Sequence, residues 1–139
     1  MNSARALRVV LHIGLWSITL FEAFGLGQAG LRKFTSMDVW RDLFENWGYP
    51  FWFLIVIGVA ELGGAVLLLV PAVAVYAAVG LIVVMAGSLA TELFKEKLFG
   101  PWFPLMHIVL LSIIAMARYR MAQPAPPSRS RVESPENPR

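Results

Sequence analysis

Glu22 and Glu61 are each the sole formal charge in a long apolar stretch, Glu22 between Val9 and Leu31 and Glu61 between Phe51 and Thr91. A carboxylate held in hydrocarbon costs about 2.5–3.5 kcal/mol on insertion scales, so it turns toward protein and is either paired or protonated. Lys33, Ser88 and His107 are the side chains that could meet these acids. At about 1.5 Å of rise per residue, counted from the Lys33 side, Glu22 lies about 12 Å deep, Glu61 about 15 Å, and Ser88 and His107 about 8 Å each. With Gln28 and Thr91 they fill one half of the membrane thickness, and the expectation is a single polar recess shared by two acids at one level.

Two readings of this group stay open. In one, Glu22 and Glu61 fix helix register, with Lys33 or His107 as partners. In the other, Glu22, Lys33, Glu61, Ser88 and His107 line a pocket for a small amphipathic ligand such as a quinone head group, and one acid relays protons. A lysine stem reaches only ~6 Å, so a direct Lys33–Glu61 bond across a depth difference of about 15 Å requires a re-entrant loop or a deeper start to the second span, and it is not assumed. No residue is assigned a catalytic role. Gly58, Gly64 and Ala65 are small neighbours of Glu61 on its helix and invite close approach by another helix.

Other chemistries are excluded or unsupported. The chain has no Cys, which closes disulfide, thiolate-zinc, iron–sulfur and thiol-exchange chemistry. His12 and His107 start near opposite faces, too far apart to clamp a haem between them. No phosphate-cradling loop, metal-spaced motif or nucleophile elbow is present, so no metal is expected.

The elements that must carry these residues follow from composition. Of 139 residues, 58% are hydrophobic and 15% charged, and the mean hydropathy is +0.64. The apolar residues come in runs of spanning length, which makes the bilayer the solvent. The runs predict an all-α fold, a four-helix transmembrane bundle with spans at about 9–31, 51–70, 72–92 and 102–117. The stretch from Phe51 to Thr91 would be about 62 Å long as one helix, twice the hydrocarbon core, so it must fold back. Pro71, lacking an amide proton, is best placed at that hairpin. A cleavable signal peptide is the rival reading of the first run, against which stand its length and its carboxylate.

Between the first two spans, residues 35–47 read as an interfacial helix. Met37, Trp40, Phe44 and Trp47 fall on one face, Asp38, Arg41, Asp42 and Glu45 on the other, and Thr35 with Asp38 suggests a capping box. The charged segment Glu92, Lys95, Glu96, Lys97 follows the third span, with Leu98 and Phe99 expected at the interface. Residues 1–121 form the membrane domain, and 122–139, rich in Pro, Ser and Arg, read as a disordered tail. The net charge is +3, but no basic stripe marks a nucleic-acid partner. Lys and Arg favour the side of the termini by seven to five, which predicts cytoplasmic termini in a bacterial cytoplasmic membrane. Trp40, Trp47, Tyr49, Trp52 and Trp102 would form an aromatic belt at the outer interface.

Three stretches carry a family resemblance. Gly30-Leu31-Arg32-Lys33-Phe34 resembles the end of the first span in DoxX-like proteins. Trp47-Gly48-Tyr49-Pro50 is similar to their approach to the second span, and Ile57-Gly58-Val59-Ala60-Glu61-Leu62-Gly63-Gly64 to the motif inside it. The match covers about residues 10–117 in order. The resemblance implies a four-helix membrane bundle and, more loosely, a redox setting, because the family takes its name from a subunit of a thiosulfate:quinone oxidoreductase. Distant relatives include cysteine-bearing redox proteins, from which this cysteine-free chain departs, and assembly factors. The expectation is an accessory of membrane redox metabolism binding a quinone or other small lipophilic ligand. The alternative is an assembly or interaction factor for another membrane protein or a second copy of the chain.

Overall fold

The computed structural model describes residues 3–95 and 100–123. Within them the chain forms five helices: α1 (Ser3–Thr35), α2 (Met37–Asn46), α3 (Phe51–Leu68), α4 (Ala74–Phe94) and α5 (Trp102–Ala122). Glu96, Lys97, Leu98, Phe99 and the expected tail from residue 124 lie outside the described residues. α1, α3, α4 and α5 are each long and apolar enough to cross a membrane. Their outer surfaces expose Phe24, Val59, Val83 and Val109 among many large apolar side chains, a distribution suited to lipid and not to water.

The four long helices pack as a bundle. α1 lies chiefly against α3 and α4 against α5, with α3 on α4 and a lighter α1–α5 contact closing the ring. The core holds Leu26, Leu54, Leu68, Leu81, Met85, Leu111 and Ile114. Small residues set the spacing: a Cβ added at Gly64 would lie 2.7 Å from the Leu81 side chain, so that leucine fills the space an alanine methyl would need.

Local chemistry explains the element ends. α3 stops at Leu68 and α4 starts at Ala74, with Pro71 in the turn between them, where its missing amide proton costs no helical bond. α5 begins at Trp102 behind Pro101 and tolerates Pro104 in its first turn, whose amides have no intrahelical acceptor. α1 continues past the expected end at residue 31, with Arg32 and Lys33 in its last turn facing the negative end of the helix dipole. α5 likewise runs on from 117 to Ala122.

The capping box expected at Thr35 and Asp38 does not form. Because α1 runs through to Thr35, the threonine hydroxyl donates back to the Leu31 carbonyl at 3.3 Å, and Ser36 caps α2 without a side-chain bond. α2 ends in a Schellman-type turn. The Gly48 amide donates to Glu45 O at 2.9 Å and the Tyr49 amide to Phe44 O at 2.8 Å. Gly48 has φ +82° there, a backbone that a residue with a Cβ adopts at a cost. This turn returns the chain to the start of α3 and leaves α2 lying across the bundle end. Phe44 is buried and Asp38, Arg41, Asp42 and Glu45 point outward. Arg41 Nε donates to Glu45 at 2.8 Å, and that hydrogen bond and charge raise the Arg41 pKa. Both side chains are about half exposed, so the pair contributes little to stability.

Candidate functional site

The register of α1 on α3 is set by two glycines. A Cβ on Gly30 would meet the Leu62 amide nitrogen at 2.8 Å and the Gly58 carbonyl at 3.0 Å, and one on Gly58 would meet the Phe34 ring at 3.0 Å and Lys33 Cβ at 3.4 Å. Backbones this close hold Lys33 alongside Gly58, with Glu61 less than one turn further along α3. Lys33 Nζ consequently donates to Glu61 Oε2 at 2.6 Å, with both side chains buried. The ammonium also sits 4.7 Å from the centre of the Trp40 ring, a second favourable contact for a desolvated cation.

This ion pair forms although the depth count alone did not allow it to be assumed. The depth count treated Lys33 as level with the start of the second span. The glycine contact instead places Lys33 opposite Gly58, seven residues or about 10 Å beyond Phe51. α2 and the first, apolar turns of α3 therefore lie beyond Lys33 at this end of the bundle.

Beneath α2, a cavity of about 490 Å³ opens between the helices. Trp40 and Phe44 from α2 line it together with Trp47, Tyr49, Phe53 and Phe103. Its polar lining comes from Arg32, Lys33, Glu61, Ser88, Thr91 and Glu92. The aromatic groups brace one another, with ring centres 5.5 Å apart for Phe44–Trp47, 5.9 Å for Phe44–Tyr49 and 5.2 Å for Tyr49–Phe53. Tyr49 and Thr91 hydroxyls lie 3.0 Å apart and tie the α2–α3 connection to α4. The Thr91 hydroxyl also lies 3.0 Å from Gly87 O, as donor.

Glu22 and His107 make a separate pair. His107 Nδ1 lies 3.0 and 2.9 Å from the two carboxylate oxygens of Glu22, and both side chains are buried. Phe103 packs edge-on against the His107 ring at 4.6 Å and also lines the cavity. Neither Glu22 nor His107 does. Because Gly30 faces Glu61, Glu22 sits eight residues away along α1, about 12 Å from the Glu61 level. The two acids thus occupy two levels and two pairs, not one recess. The cause is again the register: antiparallel α1 and α3 meet near residues 30 and 61, which leaves Glu22 near the far end of α3.

Of the five candidate residues, Lys33, Glu61 and Ser88 meet at the cavity, while Glu22 and His107 meet each other. Sequence reasoning missed Glu92, a buried cavity residue whose carboxylate accepts the Gly100 amide at 3.2 Å. Its apolar neighbours Leu93 and Phe94 were a signal that helix continues to that point. Trp40, Trp47 and Tyr49 were assigned to an interfacial belt and instead turn toward the cavity, whereas Trp52 and Trp102 are exposed. His12 Nε2 accepts from Trp16 Nε1 at 3.1 Å, away from His107.

The model of the DoxX-like family matches residues 17–114, a segment that contains both buried pairs and all of the cavity lining. The chain belongs to the DoxX-like family. No curated protein and no solved structure matches it. The matched segment of this DoxX-like protein includes Gly30, Gly58 and Glu61, which set the register and the inner ion pair.

Proposed function

We propose that this DoxX-like protein binds a small lipophilic molecule with a hydrogen-bonding head group, a quinone by class, in the cavity beneath α2, and serves membrane redox metabolism as an accessory. The observation that carries this reading is the buried Lys33–Glu61 pair on the wall of an aromatic-lined cavity of about 490 Å³. Such a volume lies within the roughly 300–1,000 Å³ of small-molecule sites. Trp40, Phe44 and Phe53 offer faces for a flat ring, and an ammonium beside a carboxylate can donate to a carbonyl oxygen and accept a proton from a hydroxyl. The termini are assigned to the cytoplasmic face of a bacterial cytoplasmic membrane, supported by Arg5, Arg8, Arg118 and Arg120 at that end.

Trp40 and Trp47 line the site, so their fluorescence reports occupancy. Titration with a short-chain ubiquinone or menaquinone analogue is expected to quench it saturably. Glu61→Leu is expected to weaken binding by roughly tenfold or more through loss of a charged hydrogen-bond partner. Wild-type affinity in that variant would overturn the reading.

A second reading, an assembly or interaction factor, rests on the outer face of α2, where exposed Val39 stands among Asp38, Asp42 and Glu45. Crosslinking from residue 39 in native membranes separates the two. A stoichiometric protein adduct supports this second reading, and a co-purifying lipophile supports the first.

A further inference from the structure

At the opposite end of the bundle, where α1 starts and α5 ends, Arg118 is only 7% exposed. Its guanidinium lies 4.8 Å from the centre of the Trp16 ring, and Trp16 is itself tied to His12. Arg118 Nε and Nη2 are buried and make no hydrogen bond among the described residues. The described residues at this end include Arg5, Arg8, Arg118 and Arg120 and no Asp or Glu; the turn from Leu69 to Val73 is uncharged. Glu22, the nearest acid along α1, is already bonded to His107. An aromatic face offsets only part of the cost of burying a cation. The third nitrogen, Nη1, is neither sealed in nor hydrogen-bonded among the described residues, so a phosphate at the bundle end can meet the guanidinium there and draw the other two donors toward it.

The surroundings favour a lipid as its source. α1 runs antiparallel to α5, as the Glu22–His107 and Trp16–Arg118 contacts require. Beyond Arg118 α5 continues only four residues to Ala122, whereas α1 reaches back thirteen residues from Trp16 to Ser3, so α1 projects further at this end. The projecting segment exposes Leu7, Val10 and Leu11, and the end of α5 exposes Tyr119 and Met121. An apolar ledge beside an unpaired guanidinium provides for both parts of an amphiphile.

We infer that Arg118 holds the phosphodiester of an anionic phospholipid at this end of the bundle, with the acyl chains on the exposed flank of α1. The site is separate from the cavity beneath α2 and does not depend on the reading given for it. The test is native mass spectrometry of the full chain, delipidated and returned to mixed micelles of phosphatidylglycerol and phosphatidylcholine. Wild type is expected to retain phosphatidylglycerol selectively, and Arg118→Gln to lose roughly tenfold or more of that retention. Arg120→Gln removes the same charge from an exposed neighbour and is expected to cost no more than about fivefold, as one interfacial charge does. If Arg118→Gln does not fold, Arg118→Lys reads the same quantity, with a loss of about threefold or more expected from the missing fork. Equal losses in Arg118→Gln and Arg120→Gln, or full retention in Arg118→Lys, would overturn the inference. So would displacement of the lipid by about 10 mM inorganic phosphate, which would make the free anion the ligand.

Discussion

Lys33 and Glu61 are joined at 2.6 Å beneath the surface of the bundle because Gly30 and Gly58 let α1 and α3 touch backbone to backbone. Removing one partner leaves the other charged and buried. Lys33→Met and Glu61→Leu are each expected to destabilise the fold by about 3–5 kcal/mol, and the double variant by less than either alone. Denaturation of all four proteins in one detergent measures the coupling.

Gly30 cannot accept a methyl group, since its Cβ would stand 2.8 Å from the Leu62 nitrogen. Gly30→Ala is expected to cost about 1–3 kcal/mol as the helices are forced apart. Gly63 and Gly80 have no atom within 4 Å of the corresponding position. Gly63→Ala and Gly80→Ala are expected to be neutral or to stabilise by up to about 1 kcal/mol. Thermal unfolding in detergent distinguishes the two groups.

Glu22 and His107 do not line the cavity. Glu22→Gln preserves shape and a hydrogen-bond acceptor for His107, so quinone-analogue affinity is expected to stay within about threefold of wild type. A tenfold loss would show that the two polar pairs act as one site. Tryptophan quenching supplies the measurement.

Tyr49→Phe removes the hydroxyl that meets Thr91 at 3.0 Å while keeping the ring against Phe44 and Phe53. The expected cost is about 1 kcal/mol. Because the lost bond ties the α2–α3 connection to α4, amides of 44–49 are expected to exchange faster than those of α5. Hydrogen exchange by mass spectrometry reads both segments at once.

Much of the architecture was legible in the sequence because the bilayer imposes a length on each helix and Pro71 could only sit at a turn. The inward face of α2 was legible too, since Trp40, Phe44 and Trp47 recur at helical spacing. The register between helices was not. Depth counting fixes each residue relative to the end of its own helix, and it carries no information about how far one helix slides along another. That offset comes from the fit of Gly30 against Gly58 and Leu62, which brings Lys33 to Glu61, and from the packing of α5 on α1 at Gly25, which brings His107 to Glu22. Arg118 illustrates a different blind spot. An arginine at the end of an apolar run looks like a topology signal, whereas here its side chain folds inward onto Trp16.

The uncharged turn from Leu69 to Val73 bears on how the chain reaches its membrane. A linker that short and apolar offers nothing to hold α3 in place while α4 waits in water. So short a turn favours entry of α3 and α4 as one hairpin. Glu61 would then cross into lipid with α4 already alongside, and α1, made first, would bring Lys33 to neutralise it. Order of synthesis and order of charge compensation coincide, so Glu61 enters the membrane with its counter-charge already made.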